Sequence, residues 1–249
     1  MQPVRLAGWA FLAALVAMPA QGAAGGAHWG YGDRDGPAHW AELSPEYATC
    51  GQGRNQSPVN IEGAIEADLP PIGFHYGGKV TDLVNNGHTV QAGYLPGSYI
   101  EVDGKKYELK QFHFHSPSEN HVEGRSFPME AHFVHAAKDG SLAVVAVLME
   151  TGKPNPALGK LWRSLPMHAG EHNGVKEEVK AEALLPEDRD YYRFNGSLTT
   201  PPCTEGVLWL VMKRPVNVSE EQVAAFRKAM HDQPDNRPLQ PLNARVILK

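Results

Sequence analysis

Five histidines fall between positions 113 and 135: His113, His115, His121, His132 and His135. Imidazole binds divalent metals and exchanges protons near neutral pH, so this density is the first place to look for chemistry. A His-x-His pair alone says little, because 12 His in 249 positions give about 0.6 such pairs by chance. Strand geometry adds the information. Residues i and i+2 of a strand point the same way. On a strand, His113 and His115 share a face with Gln111, Leu109 and Tyr107, while Phe112 and Phe114 point to the other. In the next run Glu130, His132 and Val134 share a face, and Phe133 and His135 point away. If the two strands are neighbours, His113, His115 and His132 converge. Three neutral imidazoles with an open fourth position form a catalytic zinc site. Imidazole also suits Cu, Ni and Fe, with zinc the default for an all-His site outside redox chemistry. Gln111 and Glu130, one strand period from these ligands, are placed to accept their outer N–H groups. The alternative is two packed core histidines and one at the surface.

The elements that must position these residues are mainly strands. Asn86-Gly87 reads as a two-residue hairpin turn joining 80–85 to 88–92, and Asp103-Gly104 as one joining 99–102 to 105–114. Further strands are expected at 128–136, 142–150 and 206–213. The run from Leu142 to Met149 is apolar throughout, as in a strand buried on both faces. Helices are expected at 157–165 and at 220–231, the latter opened by a capping box of Ser219 and Gln222. Residues 28–62 carry no helical period and read as irregular chain wrapped on the surface. The sum is one mainly β domain with a few peripheral helices.

Composition narrows the class. Hydrophobic residues make up 42%, which excludes disorder for most of the chain, and the net charge of -5 with no basic run argues against nucleic-acid binding. Residues 1–24 read as a cleaved export signal, with Arg5 ahead of an apolar run from Leu6 to Met18 and small residues at Ala20 to Ala24. The alternative is a retained anchor. No later stretch is long and apolar enough to span a membrane. After export, Cys50 and Cys203 are the right number for one disulfide. Two free thiols or a Cys ligand to a metal are the other readings.

Seven segments, in order from residue 28 to about 248, resemble the α-class carbonic anhydrases. They are Trp29-Gly30-Tyr31, Gln56-Ser57-Pro58-Val59-Asn60-Ile61, Asn85-Asn86-Gly87-His88, and Gln111-Phe112-His113-Phe114-His115. Then come Glu130-Ala131-His132-Phe133-Val134-His135, Gly196-Ser197-Leu198-Thr199-Thr200-Pro201-Pro202, and Asn236-Arg237-Pro238 through Gln240-Pro241-Leu242 to Arg245. The stretch from Ser116 to Glu119 and the Cys pair are similar to the exported bacterial branch, so the resemblance implies a periplasmic or extracellular place and a Cys50–Cys203 disulfide.

The family implies a central, largely antiparallel twisted sheet with zinc at the floor of a conical cleft. Residue by residue, it implies His113, His115 and His132 as zinc ligands, with Gln111 and Glu130 on their outer nitrogens. Thr199 is implied as a gatekeeper whose hydroxyl donates to Glu119 and orients zinc-bound hydroxide for attack on CO2. Water then displaces bicarbonate, and His88 shuttles the proton to buffer. Val134, Val144, Leu198 and Trp209 match the apolar wall of the substrate pocket, which Thr199 and Thr200 complete. Tyr31, Asn86 and Thr200 match residues that order the cleft's water. CO2, bicarbonate, inhibitory anions and sulfonamides are the implied small-molecule partners, with the chain a monomer or homodimer. Many animal members carry His after the gate Glu, whereas Asn120 follows Glu119 here. A binding module on the same fold, a zinc esterase and a Cu/Zn redox enzyme are the rivals. The intact ligand set argues against the first.

Overall fold

The computed structural model describes residues 27–249. The export signal read at residues 1–24 lies outside the described residues. One sheet runs through the molecule in the order His172–Gly174, Val80–Asn85, Val90–Tyr94, Lys105–His115, Met129–Ala136, Leu142–Thr151, Glu205–Met212, Tyr191–Ser197. Neighbours are antiparallel except where Leu142–Thr151 meets Glu205–Met212 and Val216–Val218 in parallel. The mainly β, largely antiparallel expectation therefore holds, with two parallel pairings added. Leu142–Thr151 is the strand shared by both, and its interior is buried on both faces as its apolar run requires.

Two layers flank the sheet. One face carries the larger apolar cluster, including Phe112, Phe114, Phe133, Leu158, Leu161 and Phe226. Each fully buried Phe contributes roughly 1.5–3 kcal/mol. The helices Pro156–Leu161 and Glu220–Ala229 pack here. Ser219 and Gln222 form the expected capping box. The helix ends at Ala229, two residues short of the expected 231, because His231 and Asp232 take positive φ (54° and 57°). The other expected helix stops at Leu161 and gives way to a 3-10 turn at Trp162–Ser164. The segment 28–62 holds short helical turns at Trp40–Leu43, Pro45–Tyr47 and Thr49–Gln52, anchored by the fully buried Trp40.

Two local departures reshape the functional strand and its neighbour. Leu109 pairs with His135 but Gln111 with Val134, so Lys110 is the extra residue of a bulge. A bulge reverses the alternation. Tyr107 and Leu109 consequently lie in the core with Phe112 and Phe114 rather than sharing the face of His113 and His115. The second departure is the Asn86-Gly87 turn. Asn85 pairs with Val90, leaving a four-residue loop, and the strand starts at Val90 instead of 88. Asn86 Oδ1 takes the N–H groups of His88 and Thr89, both at 2.9 Å, which removes them from the ladder. Asp103 and Gly104, with φ of 51° and 72°, do form the expected two-residue turn between Val102 and Lys105.

Candidate metal centre

Lys105–His115 and Met129–Ala136 are neighbours, and His113 pairs directly with His132 across them. Nitrogen atoms of His113, His115 and His132 all lie within 4.8 Å of one another. The other nitrogen of each ring faces an acceptor. His113 Nδ1 donates to Gln111 Oε1 at 2.8 Å, and His132 Nε2 lies 3.0 Å from Glu130 Oε1. His115 Nδ1 donates to the backbone oxygen of Asp235 at 2.7 Å. A ring that donates from one nitrogen as a neutral imidazole carries a lone pair on the other. Burial favours the neutral form, holding His113 well below the usual imidazole range and His115 lower too. His115 Nε2 is buried with no hydrogen-bond partner. Three neutral donors of this kind fit zinc.

Glu130 does more than face His132. Its Oε2 accepts the N–H groups of Glu119 and Asn120, and its Oε1 the Asn120 side chain, each at 2.8 Å. Burial works against its ionisation, but His132 and the Asn120 donors hold its carboxyl below the usual range. Asn120 thus anchors the turn that presents Glu119. Burial pushes Glu119 up to about 7, with His132, the Arg237 N–H and the Thr199 side chain pulling against it. Glu119 Oε1 accepts the Arg237 N–H at 2.8 Å.

The Thr199 loop follows the Tyr191–Ser197 strand. Ser57 and Ser197 exchange backbone-to-hydroxyl hydrogen bonds at 2.9 and 3.2 Å, where Gly196 leaves no room for a Cβ beside Ser57 Oγ and the Trp209 ring. Cys203 is disulfide-bonded to Cys50, and its carbonyl accepts from Gln56 Nε2 at 3.1 Å. Arg237, 2% exposed, donates at 2.8 Å to Gln56 Oε1 and to the carbonyls of Ser57 and Cys50. Burial lowers its guanidinium to about 10, still a cation at neutral pH.

Val134, Val144 and Trp209 lie in register across three strands, and Leu198 packs on the same apolar cluster. The Trp209 ring stands 5.0 Å from that of His132. Tyr31, Asn86, His88, Pro201, Pro202 and Asp235 line a cleft of about 1530 Å³. Asp235 therefore reaches both the cleft and His115. Tyr31 Oη is buried without a partner, and Asn86 Oδ1 is engaged in the turn. Thr200 lies in the Thr199 loop, where its carbonyl accepts from Cys203 N–H at 2.8 Å. His88 is half-buried, its ring stacked 3.8 Å from that of Trp29. Desolvation, and next His28, lowers its pKa.

Sequence reasoning missed three participants. Asp235 acts through its carbonyl, a group every residue has, and Arg237 through a network closed only by the fold. Trp29 had a signal, since it sits in the segment that also supplies Tyr31.

The family model for eukaryotic-type carbonic anhydrase matches residues 35–249. A carbonic anhydrase of Klebsiella pneumoniae is 46% identical over 244 residues, 97% of this chain and 98% of its own. One from Neisseria gonorrhoeae is 48% identical over 223 residues, 89% and 88% of the two chains. The α-carbonic anhydrase of Thermovibrio ammonificans, solved with the inhibitor sulfanilamide, is 51% identical with a TM-score of 0.88, over 90% of this chain and 100% of that one. With matches this long spanning both strands of the histidine cluster and the Thr199 loop, the chain belongs to the α-class carbonic anhydrases, the carbonate dehydratases.

Proposed function

We propose that the chain hydrates CO2 reversibly to bicarbonate and a proton, with zinc held by His113, His115 and His132 at the floor of the cleft. The observation that carries this reading is that His113 and His115 hydrogen-bond outward to Gln111 and Asp235 and that His132 Nε2 lies 3.0 Å from Glu130, while one nitrogen of each ring converges on a common point. Bound there, the metal would acidify a water toward neutral pKa and so supply the nucleophile, a chemistry for which this family is the standard case.

The protein's own groups do the rest. Glu119 accepts a hydrogen bond from the Thr199 hydroxyl, so the Thr199 oxygen is left as an acceptor that orients the nucleophile. CO2 has no charge and no dipole, and Val134, Val144, Leu198 and Trp209 give it an apolar wall beside His132. The product is an anion, and the Thr199 N–H donates to it, with Thr200 closing the pocket. Tyr31, Asn86 and Thr200 order water between this pocket and His88. Because burial lowers its pKa, His88 is neutral at pH 7 and ready to take the released proton on a ring nitrogen. Simple anions and sulfonamides would compete at the same position; the Thermovibrio relative was solved in complex with the inhibitor sulfanilamide.

The reading includes export, with residues 1–24 removed and the chain placed in the periplasm or outside the cell. The Cys50–Cys203 bond supports this, because disulfides persist in oxidising compartments. Among the described residues no helix is long and apolar enough to cross a membrane. Exchange of 18O between labelled CO2 and water, followed by mass spectrometry, tests the reaction. Exchange far above the uncatalysed rate is expected from the mature protein. The uncatalysed rate from a folded, zinc-loaded sample would remove the proposal.

A further inference from the structure

Two histidines that the reaction does not use meet at the rim of the cleft. His168 sits in the loop after the Trp162–Ser164 turn, and His231 follows the Glu220–Ala229 helix. Their ring centroids are 6.3 Å apart and their planes 30° from parallel. Both residues are exposed, and His231 lines the same cleft as His88. Among the described residues neither ring makes a hydrogen bond.

Backbone hydrogen bonds fix the two segments that carry these rings. Glu171 Oε2 accepts the N–H groups of Met167 and His168 at 2.7 and 3.0 Å, closing the first loop. His231 and Asp232 both adopt the left-handed conformation that L-residues avoid. Hydrogen bonds from His231 N to Lys228 O (3.1 Å) and from Asp232 N to Arg227 O (2.8 Å) fix it. With metal–nitrogen bonds of about 2.0–2.1 Å, one ion between two imidazoles holds their centroids roughly 5 Å apart at a tetrahedral angle and about 6.4 Å apart when the nitrogens are trans. The observed 6.3 Å matches the trans limit, which a square-planar or octahedral ion such as Cu2+ or Ni2+ provides and a tetrahedral one does not. The neighbouring carboxylates of Glu171 and Asp232 add negative charge.

We propose that His168 and His231 form a second, surface cation site for an imidazole-preferring divalent transition metal, Cu2+ binding more tightly than Ni2+ or Zn2+. An ion held there staples the 166–171 loop to the end of the helix. Gly170 N donates to Asn85 O at 2.7 Å, and Asn85 N to Glu171 O at 3.0 Å. The stapled loop is therefore bonded to the turn that carries His88. A rival arrangement is His28 with Asp35, 3.3 Å apart.

The test titrates the zinc-loaded protein with Cu2+. Calorimetry reads the affinity, EPR hyperfine structure counts the coordinated nitrogens, and zinc content is followed throughout. One added equivalent per chain is expected, with two imidazole nitrogens and the zinc retained. His168→Ala and His231→Ala should each weaken binding at least tenfold, and His28→Ala should not. Unchanged affinity in the double His168→Ala, His231→Ala variant would overturn the proposal. So would a loss that follows His28→Ala or His88→Ala instead, a release of zinc as copper enters, or no binding at all.

Discussion

His113 and His132 face each other across antiparallel strands, with ring centroids 5.4 Å apart and planes 86° from parallel. Strand register, rather than a loop, sets their spacing, and His115 is fixed two residues along the same strand. A site on such rigid elements is pre-organised. The outer acceptors then divide the work unequally. Gln111→Ala should weaken metal binding about 10- to 100-fold and leave folding stability almost unchanged. Glu130→Ala should weaken both, because Glu130 also receives the Glu119 and Asn120 donors. Chelator competition and urea unfolding separate the two effects. Identical behaviour of the variants in both assays would contradict this division.

Arg237 is the central tie between the N-terminal segment and Glu119. Arg237→Met keeps the backbone N–H to Glu119 but removes the guanidinium donors to Cys50, Gln56 and Ser57, leaving three buried oxygens without them. Leaving a buried acceptor unsatisfied costs about 1–3 kcal/mol, so the loss of three donors is expected to total several times the cost of one. Urea unfolding of the variant should show a loss of that order. A loss below about 1 kcal/mol, the size of an exposed pair, would mean that the network contributes little.

Trp29 covers one face of the His88 ring. Desolvation penalises the charged imidazolium and so lowers the pKa. Trp29→Ala returns water to the ring, and the His88 pKa should rise toward its ordinary value in an NMR titration. An unchanged or lower value would show that the indole is not the cause. His88→Ala should reduce turnover at low buffer by about 100-fold, the lower end of what a positioned proton-transfer group contributes. Added imidazole should restore it.

The Cys50–Cys203 bond spans 153 residues, worth ~5 kcal/mol on chain-entropy grounds. It also ties the Thr199 loop to the N-terminal segment. Mild reduction should lower CO2 hydration several-fold while the far-UV circular dichroism stays native. Full turnover in the reduced, folded protein would show that the Thr199 loop holds its position without the bond.

The histidine cluster is legible because strands alternate and because Phe112, Phe114 and Phe133 mark the opposite, buried face. The same rule failed at Tyr107 and Leu109, since the Lys110 bulge is a backbone event with no side-chain signature. Likewise the 86–89 loop was read one turn type too short, because the Asn86 side chain captures two amides that a ladder would otherwise use. The Tyr191–Ser197 strand escaped notice. Its Arg193, Asn195 and Gly196 break the apolar alternation, and its pairing with Glu205–Met212 supplies the order. The wall of Val134, Val144 and Trp209 became visible only through the family resemblance, because its members meet across three strands.

The most direct measurement is stopped-flow CO2 hydration by protein stripped with a chelator and then titrated with zinc. Turnover should be absent at the start, rise in proportion to bound zinc and level off at one ion per chain. His132→Ala should stay flat throughout. Full turnover from the stripped protein, or none from a folded, zinc-loaded, disulfide-intact sample, would contradict the account.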